Sequence, residues 1–290
     1  MNFTLGLRTN MRRTFAISLL LAVSFAAHAQ LIGVLEHPQC SNDQARIVRP
    51  LFQLTGQVWS SLASGLATDL YPRTWFVAGS GTQASFGVSL PPSTPEPAWT
   101  FGRDFALTPL EGSALPSAPN RGGAYGGWCD APQNKPILVS STPMALTRLP
   151  AARAPMRTPN RIVRRAFERS LSAGKLCKNY DDPRPTRIRK ADLAVTEDIG
   201  LPGGKRLVAF SLKRHLTECG SEIGGVEQPR WFVLGPTPRF IGASMIYVAS
   251  VALDQGEAAH LFWFSGYNQD GYLLFRSDFG EPQRFTWNYH

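Results

Sequence analysis

Residues 260–275, HLFWFSGYNQDGYLLF, hold two apolar segments on either side of a polar centre, Asn268-Gln269-Asp270-Gly271. Asn and Asp beside a glycine that can take positive φ favour a tight turn, so the stretch predicts a β-hairpin with the polar centre as its turn. The flanking segments are apolar at successive positions, not only at alternate ones. Strands of this kind are covered on both faces, so we expect the hairpin to lie centrally in a sandwich or in stacked sheets.

The segments around this hairpin alternate apolar and polar residues with period two, which predicts a mainly β chain. Val208, Phe210 and Leu212, for example, fall on one face of the segment 206–212. Further strands are expected at 74–78, 86–90, 137–140, 231–234, 243–253, 260–265, 272–277 and 285–289. The predicted fold class is therefore an antiparallel meander, arranged as a β-sandwich or as propeller-like sheets.

One amphipathic helix is expected near 159–173. Thr158 is a suitable N-cap residue, Pro159 suits the first helical position, and Gly174 is a typical stop signal. The predicted apolar face consists of Ile162, Val163, Ala166, Phe167 and Leu171.

Composition divides the chain into four parts. A signal peptide is predicted at 1–29 and a β-rich region at 30–110. The segment 111–158 is dense in Pro, Gly, Ser and Ala, which predicts a linker or long loops. The helix and the antiparallel strands then form a C-terminal domain at 159–290.

The N-terminus carries the pattern of an export signal. Arg12 and Arg13 precede an apolar run that is too short to span a bilayer, and Ala27-His28-Ala29 matches the small-x-small cleavage pattern. A membrane anchor is the alternative reading. After cleavage no apolar run is long enough for a transmembrane helix, so the expected location is periplasmic or extracellular.

Four cysteines, Cys40, Cys129, Cys177 and Cys219, follow the predicted cleavage point. An even number in an exported chain predicts two disulfides, and the pairs within each half are Cys40–Cys129 and Cys177–Cys219. The other two connectivities remain open. No pair has the close spacing of a metal site, so no metal is predicted from the cysteines.

Several segments resemble a group of secreted bacterial proteins that contain an FG-GAP or VCBS-type repeat. They are RRAFERSLSAGKLC (164–177), WFVLGPTPRFIGASMIYV (231–248) and GYNQDGYLLFRSDFGEPQRFTWNYH (266–290), together with the Trp75 strand. In that group the region matching 249–264 is the repeat: a strand, an acidic loop and a second strand. The resemblance implies β-propeller-type sheets and an exported protein, and it implies no particular activity.

Such repeats can bind calcium through their acidic loop. The matching loop of this chain, 254–258, has only two carboxylates, Asp254 and Glu257. Calcium takes six to eight oxygen ligands, so a plain turn is the preferred interpretation and no cofactor is expected.

The sequence has none of the common catalytic motifs, such as GxSxG, HExxH or a Walker A loop. We therefore expect a non-catalytic envelope protein that binds or scaffolds another component. A secreted hydrolase is the alternative, with an acid/base pair drawn from scattered carboxylates such as Asp254, Asp270 and Asp278.

Two features suggest what this protein binds. The segment 148–190 is rich in Lys and Arg. The chain has a net charge of +9, which falls to +6 when the predicted signal peptide, with Arg8, Arg12 and Arg13, is removed. The plain interpretation of this stretch is a solvated linker and helix face. The functional alternative is binding of an anionic envelope component or a glycan, whereas nucleic acid is not expected in that compartment. Candidate binding residues lie around the two predicted turns: Asp254, Glu257, Tyr267, Asn268, Asp270 and Tyr272. Tyr267 and Tyr272 are the better candidates for exposed rings.

Overall fold

The computed structural model describes the chain in segments. They are residues 30–36, 47–63, 72–77, 84–88, 107–109, 137–142, 146–147, 156, 159–171, 175–179, 181–214, 216–219, 229–252, 258–266 and 269–288. The predicted signal peptide, Cys40 and Cys129 lie outside these residues.

Nineteen strands, one α-helix and two short 3-10 helices, Lys190–Asp192 and Pro202–Gly204, make up the described secondary structure. The strands before the helix are β1 (Gln30–Glu36), β2 (Ile47–Thr55), β3 (Val58–Ser61), β4 (Thr74–Val77), β5 (Ala84–Val88), β6 (Leu107–Pro109), β7 (Ile137–Ser140) and β8 (Leu146–Thr147). The remaining elements are α1 (Arg161–Arg169), β9 (Leu176–Asn179), β10 (Asp182–Thr186), β11 (Leu193–Gly200), β12 (Arg206–Leu212), β13 (Thr217–Glu218), β14 (Arg230–Leu234), β15 (Arg239–Ala243), β16 (Met245–Ala252), β17 (Ala258–Gly266), β18 (Gln269–Arg276) and β19 (Gln283–Asn288).

The strands form four sheets, and the paired strands are antiparallel, as the sequence predicted. A seven-stranded sheet has the order β3-β2-β1-β7-β4-β5-β6, and a five-stranded sheet has the order β19-β18-β17-β16-β8. A four-stranded sheet, β11-β12-β14-β15, and a three-stranded sheet, β10-β9-β13, complete the set. The mainly β, antiparallel fold class is confirmed.

The hairpin quoted above lies in the middle of these layers. Residues on one face of β17 and β18, including Leu261 and Tyr272, share a core with the seven-stranded sheet. Residues on the other face, including Phe262 and Leu273, share a second core with the four-stranded sheet. Because each face has its own apolar partner, both strands are apolar at successive positions.

A third core lies on the far side of the four-stranded sheet. Val208, Phe210 and Leu212 of β12 point into it, as their spacing predicted, and meet Val163 and Phe167 of the helix. The order of layers is therefore seven-stranded sheet, five-stranded sheet, four-stranded sheet, and then the helix with the three-stranded sheet.

The helix is shorter than the sequence predicted. Asn160, rather than Thr158, is the N-cap residue, and its side chain accepts a hydrogen bond from the Val163 amide. Ser170 forms the C-cap, before Gly174 is reached. Ile162 was expected on the buried face but is 54% exposed, because the buried stripe is centred on Val163, Ala166 and Phe167.

Arg230 of β14 binds the C-terminal end of the helix. It is 9% exposed, and its guanidinium donates a 2.6 Å hydrogen bond to the Ser170 carbonyl. The same guanidinium lies 5.9 Å from the ring centroid of Phe167. A cation at a helix C-terminus is favoured by the helix dipole, so this contact stabilises the junction of helix and sheet.

The segment 111–158, expected to be linker or loops, contributes to two sheets. β7 occupies a position between β1 and β4 in the seven-stranded sheet, and β8 pairs with β16 at the edge of the five-stranded sheet. A single core cluster also joins the two predicted domains, since Val34 and Phe52 share it with Leu261 and Phe285.

Gly271 has a different role from the one that the sequence suggested. The strands of the hairpin are paired as far as Gly266 and Gln269, so Gln269, Asp270 and Gly271 belong to β18 and not to a turn. A Cβ atom at Gly271 would lie 2.2 Å from the Phe285 carbonyl oxygen. The glycine is therefore required by the close approach of β19, not by a positive φ.

We expect Gly271→Ala to lower the free energy of unfolding by about 2 to 3 kcal/mol, because the added methyl group must push β19 away. Urea unfolding of the purified protein measures this loss. Gly235→Ala is the matched control, since a Cβ there meets no atom within 4 Å, and it should change stability by less than about 0.5 kcal/mol. Equal losses in the two variants would refute the steric explanation.

One disulfide, Cys177–Cys219, joins β9 to the residue after β13 and confirms one predicted pair. The two cysteines are 42 residues apart in the sequence.

We expect the double variant Cys177→Ser/Cys219→Ser to lose about 4 kcal/mol in free energy of unfolding, because the unfolded chain regains the entropy of the closed loop. Calorimetry of oxidised wild type and variant measures the difference. A loss below about 1 kcal/mol would mean that the bond adds little to this fold.

Candidate functional site

A groove opens between β15 and the segment that joins β18 to β19. Its volume is about 510 Å³. The floor consists of apolar side chains of the core between the five- and four-stranded sheets: Met245, Leu273, Phe275 and Phe279. Edge strand β15 forms one wall, and the other consists of Gly280, Glu281, Pro282 and Arg284.

Two arginines stand at the rim of this groove. Arg239 donates a hydrogen bond from Nη2 to the Asp278 carbonyl, which holds its guanidinium against the opposite wall. Arg284 lies 3.8 Å from Glu281, with both side chains largely exposed. The groove therefore combines an apolar floor with a cationic rim.

A buried polar network lies beside the floor of the groove. The hydroxyls of Tyr247 and Ser250 share a hydrogen bond of 2.7 Å, and Ser250 Oγ lies 2.7 Å from His260 Nδ1. Ser250 and His260 face each other across β16 and β17. All three residues are at most 1% exposed.

Phe279 separates this network from the groove. Its ring stacks on the His260 imidazole with 4.5 Å between centroids and 9° between planes. Its φ of 54° is in the left-handed region, which is unusual for a bulky side chain. A serine hydroxyl bonded to an imidazole is the pair used in nucleophilic catalysis, but a substrate cannot reach this pair past Phe279. In the folded state the network satisfies buried polar groups.

A second candidate is a cationic unit, which we define as α1, Lys175, the three-stranded sheet, residues 187–192 and residues 213–214. Its parts are joined by hydrogen bonds as well as by the disulfide. Arg164 donates to the Ile188 carbonyl at 3.2 Å, and Arg214 donates to the Arg187 carbonyl at 3.0 Å. The unit packs on the four-stranded sheet through the third core.

Exposed cations are concentrated on this unit. They are Arg161, Arg165, Arg169, Lys175, Lys178, Arg184, Arg187, Arg189, Lys190 and Lys213. Three carboxylates of the unit each pair with one of its arginines: Glu168 with Arg164, Asp182 with Arg184, and Asp192 with Arg214. The hydrogen bond from Arg184 holds the pKa of Asp182 at about 2. The remaining cations leave the unit strongly positive.

The residues proposed from the sequence are not brought together. Asp270 is 2% exposed on the face of β18 that carries Tyr272 and Leu274, toward the seven-stranded sheet. Asp278 is exposed in the turn after β18, where its Oδ1 accepts from the Gly280 amide at 3.0 Å. These two carboxylates do not share a cleft, and Asp254 lies outside the described residues.

Tyr272 was expected to be an exposed ring, and that expectation is wrong. It is fully buried, because residues 269–271 extend the strand and place Tyr272 on the face that packs against the seven-stranded sheet. Tyr267, Asn268, Asp254 and Glu257 lie outside the described residues, so their proposed binding roles stay predictions. Within the described segments no group of three or more His, Cys, Asp or Glu is placed to hold a metal ion.

Sequence reasoning missed the buried network and the groove. The sequence does contain a sign of the network, because Ser250 and His260 are polar residues within two largely apolar strand segments. Their pairing depends on the register of β16 and β17, which the sequence does not reveal. The groove depends on β15 and residues 279–284 meeting across two sheets, and no sequence pattern marks that.

Comparison with known proteins provides no relative. No protein family, curated protein or solved structure matches the chain. The resemblance to FG-GAP or VCBS-type repeats therefore stays a prediction.

The described helix is too short to cross a membrane, and no other helix in the described segments is long and apolar enough to do so.

Burial of His260 changes the pKa of its imidazole, and this change affects stability. Loss of hydration lowers its pKa from 6.5 to about 4. In this range the unfolded chain binds a proton that the folded chain does not. The contribution of neutral His260 to stability is therefore complete above pH 6.5 and falls as the pH drops toward 4.

We expect the free energy of unfolding of the wild type to fall by about 3 kcal/mol more than that of His260→Leu between pH 7.5 and pH 4. Leucine does not titrate, and it leaves the Ser250 hydroxyl bonded to Tyr247. Urea unfolding at several pH values gives the two profiles, and their difference removes the contribution of the carboxylates. Parallel profiles would show that His260 does not titrate in this way.

Proposed function

We propose that this protein is an exported, non-catalytic component of the bacterial envelope that docks on an anionic surface through the cationic unit. The observation that carries the proposal is the concentration of exposed Lys and Arg on one packed unit, in which Glu168, Asp182 and Asp192 each pair with an arginine of the same unit. The disulfide and the N-terminal sequence pattern support export.

Anionic lipid headgroups are the partner that this chemistry favours. Each Lys or Arg near an anionic bilayer contributes about 1 kcal/mol of attraction, so several acting together suffice for stable binding. Guanidinium groups, which dominate the helix surface, bind phosphate oxygens with two parallel hydrogen bonds.

The exposed surface of the helix also carries an apolar residue. Ile162 is 54% exposed and stands next to Arg161 in the first turn. An aliphatic side chain among cations suits a membrane interface, where it can enter the acyl boundary while the arginines remain among the headgroups. In a monomer that stays in water, an exposed Ile162 side chain would have no apolar phase to enter.

The disulfide holds together the elements that carry the exposed cations. It ties β9, which carries Lys178, to the end of β13 beneath the helix. The cations of the unit are thereby held on a rigid support, which reduces the conformational entropy lost on docking.

The alternative function, a hydrolase using scattered carboxylates, has less support. It requires two carboxyl groups in one cleft, whereas Asp270 is buried toward one sheet and Asp278 is exposed in a turn. The groove near Asp278 has a cationic rim and only Glu281 as an acidic side chain of its lining.

Sedimentation with vesicles tests the proposal. We expect the protein to bind vesicles of phosphatidylcholine with about 30% phosphatidylglycerol, to bind pure phosphatidylcholine weakly, and to be released as salt rises toward about 0.5 M. Arg161→Glu/Arg165→Glu should lower the partition coefficient more than about tenfold, since two attractive charges become repulsive.

Arg73→Glu/Lys205→Glu is the matched control, because it makes the same change in net charge at exposed positions outside the cationic unit. It should retain most of the binding. Equal losses in the two double variants would mean that net charge alone acts, and equal binding to both vesicle types would refute the proposal. Binding to a soluble anionic polysaccharide, but not to vesicles, would make a glycan the partner in place of lipid.

A further inference from the structure

We infer that the groove between β15 and residues 279–284 is a binding site for a small amphipathic anion, a molecule with a carboxylate or phosphate head and an apolar body. This inference goes beyond docking on a surface and does not rest on the cationic unit. It rests on the size, the lining and the charges of the groove.

The groove has the size of a ligand site. Its volume of about 510 Å³ lies within the range of roughly 300–1,000 Å³ that is typical of small-molecule pockets. It is bordered by strands of two different sheets, so the core beneath them holds its walls in place.

The floor selects for an apolar body. The apolar surface that a ligand can reach belongs to Ile241, Phe264 and Pro282, which are partly exposed. It lies over Met245, Leu273, Phe275 and Phe279, which are buried. Because these side chains are fixed by packing, a ligand's apolar part can cover the floor without ordering new side chains.

The lining disfavours a polyhydroxylated ligand. The fourteen described residues around the groove include no side-chain hydroxyl and no side-chain amide. Sugars are recognised by such groups and by exposed aromatic faces, whereas the rings of Phe275 and Phe279 in the floor are buried. A glycan therefore fits this groove poorly, even if it fits elsewhere on the molecule.

The rim selects for a negative charge. Arg239 uses part of its guanidinium on the Asp278 carbonyl, and a guanidinium has five N–H donors, so others are left to meet a ligand. Arg284 pairs with Glu281 only at 3.8 Å, and Glu281 is 86% exposed. Such an exposed ion pair contributes little to stability, so the anionic head of a ligand can replace Glu281 beside Arg284.

Isothermal titration with matched probes tests the inference in the intact protein. Decanoate supplies head and body, decyltrimethylammonium supplies the same body with the opposite charge, and butyrate supplies the head with almost no body. All three are used below the concentration at which micelles form. We expect decanoate to bind at least about tenfold more tightly than either of the other two.

Two variants locate the site. Arg239→Gln/Arg284→Gln should weaken decanoate binding at least about tenfold by removing the cationic rim. Ala243→Phe should weaken it by a similar factor, since it adds bulk at a lining position on edge strand β15. Arg73→Gln/Lys205→Gln, which changes two exposed cations outside the groove, should leave the affinity unchanged.

The inference is overturned if decanoate fails to bind at millimolar concentration, if decyltrimethylammonium binds equally well, or if the rim variant keeps wild-type affinity. If Ala243→Phe does not fold, the probe series and the rim variant still decide. Arg161→Glu/Arg165→Glu separates the two proposals, since it should lose vesicle binding while retaining decanoate affinity. Loss of both in that variant would contradict the assignment of the anion to the groove.

Discussion

The structure depends on the burial of both faces of the β17–β18 hairpin. Each large apolar side chain buried there contributes on the order of 1.5 to 3 kcal/mol, and the hairpin supplies such side chains to two separate cores. A sheet with two apolar faces has no face left for water, so another sheet must cover each side. The seven-stranded and four-stranded sheets do so, and the helix in turn covers the outer face of the four-stranded sheet.

The polar groups inside this stack are few, and those of the Tyr247–Ser250–His260 network have partners. Tyr247, Ser250 and His260 form a chain of hydrogen bonds because β16 and β17 place Ser250 opposite His260. Burial of the imidazole, on which the Phe279 ring stacks, removes its hydration, which lowers the pKa of His260 and favours the neutral ring. The same phenyl ring is part of the floor of the groove, so one residue seals the network and shapes the candidate ligand site.

Charge and apolar surface are separated in this molecule. Exposed cations gather on the helix and the small three-stranded sheet, far along the stack from the central hairpin, while the groove has only two arginines above an apolar floor. The first arrangement suits an extended anionic surface, because many weak contacts add together. The second suits one small anion, because a few donors act next to a surface that excludes water. The two proposals thus concern different partners.

The sequence by itself determined the fold class and the central place of the hairpin, whereas it left the disulfide connectivity open until the structure paired Cys177 with Cys219. Period-two patterns and runs apolar at successive positions are local signals, and the inward face of Val208, Phe210 and Leu212 follows from them directly. The part played by Asp270 and Tyr272 was decided only by the tertiary structure, because strand pairing extended past the residues whose types favour a turn. The groove was likewise beyond the sequence: Arg239 and Arg284 belong to strands of different sheets, and only the packing of those sheets brings the arginines to one rim.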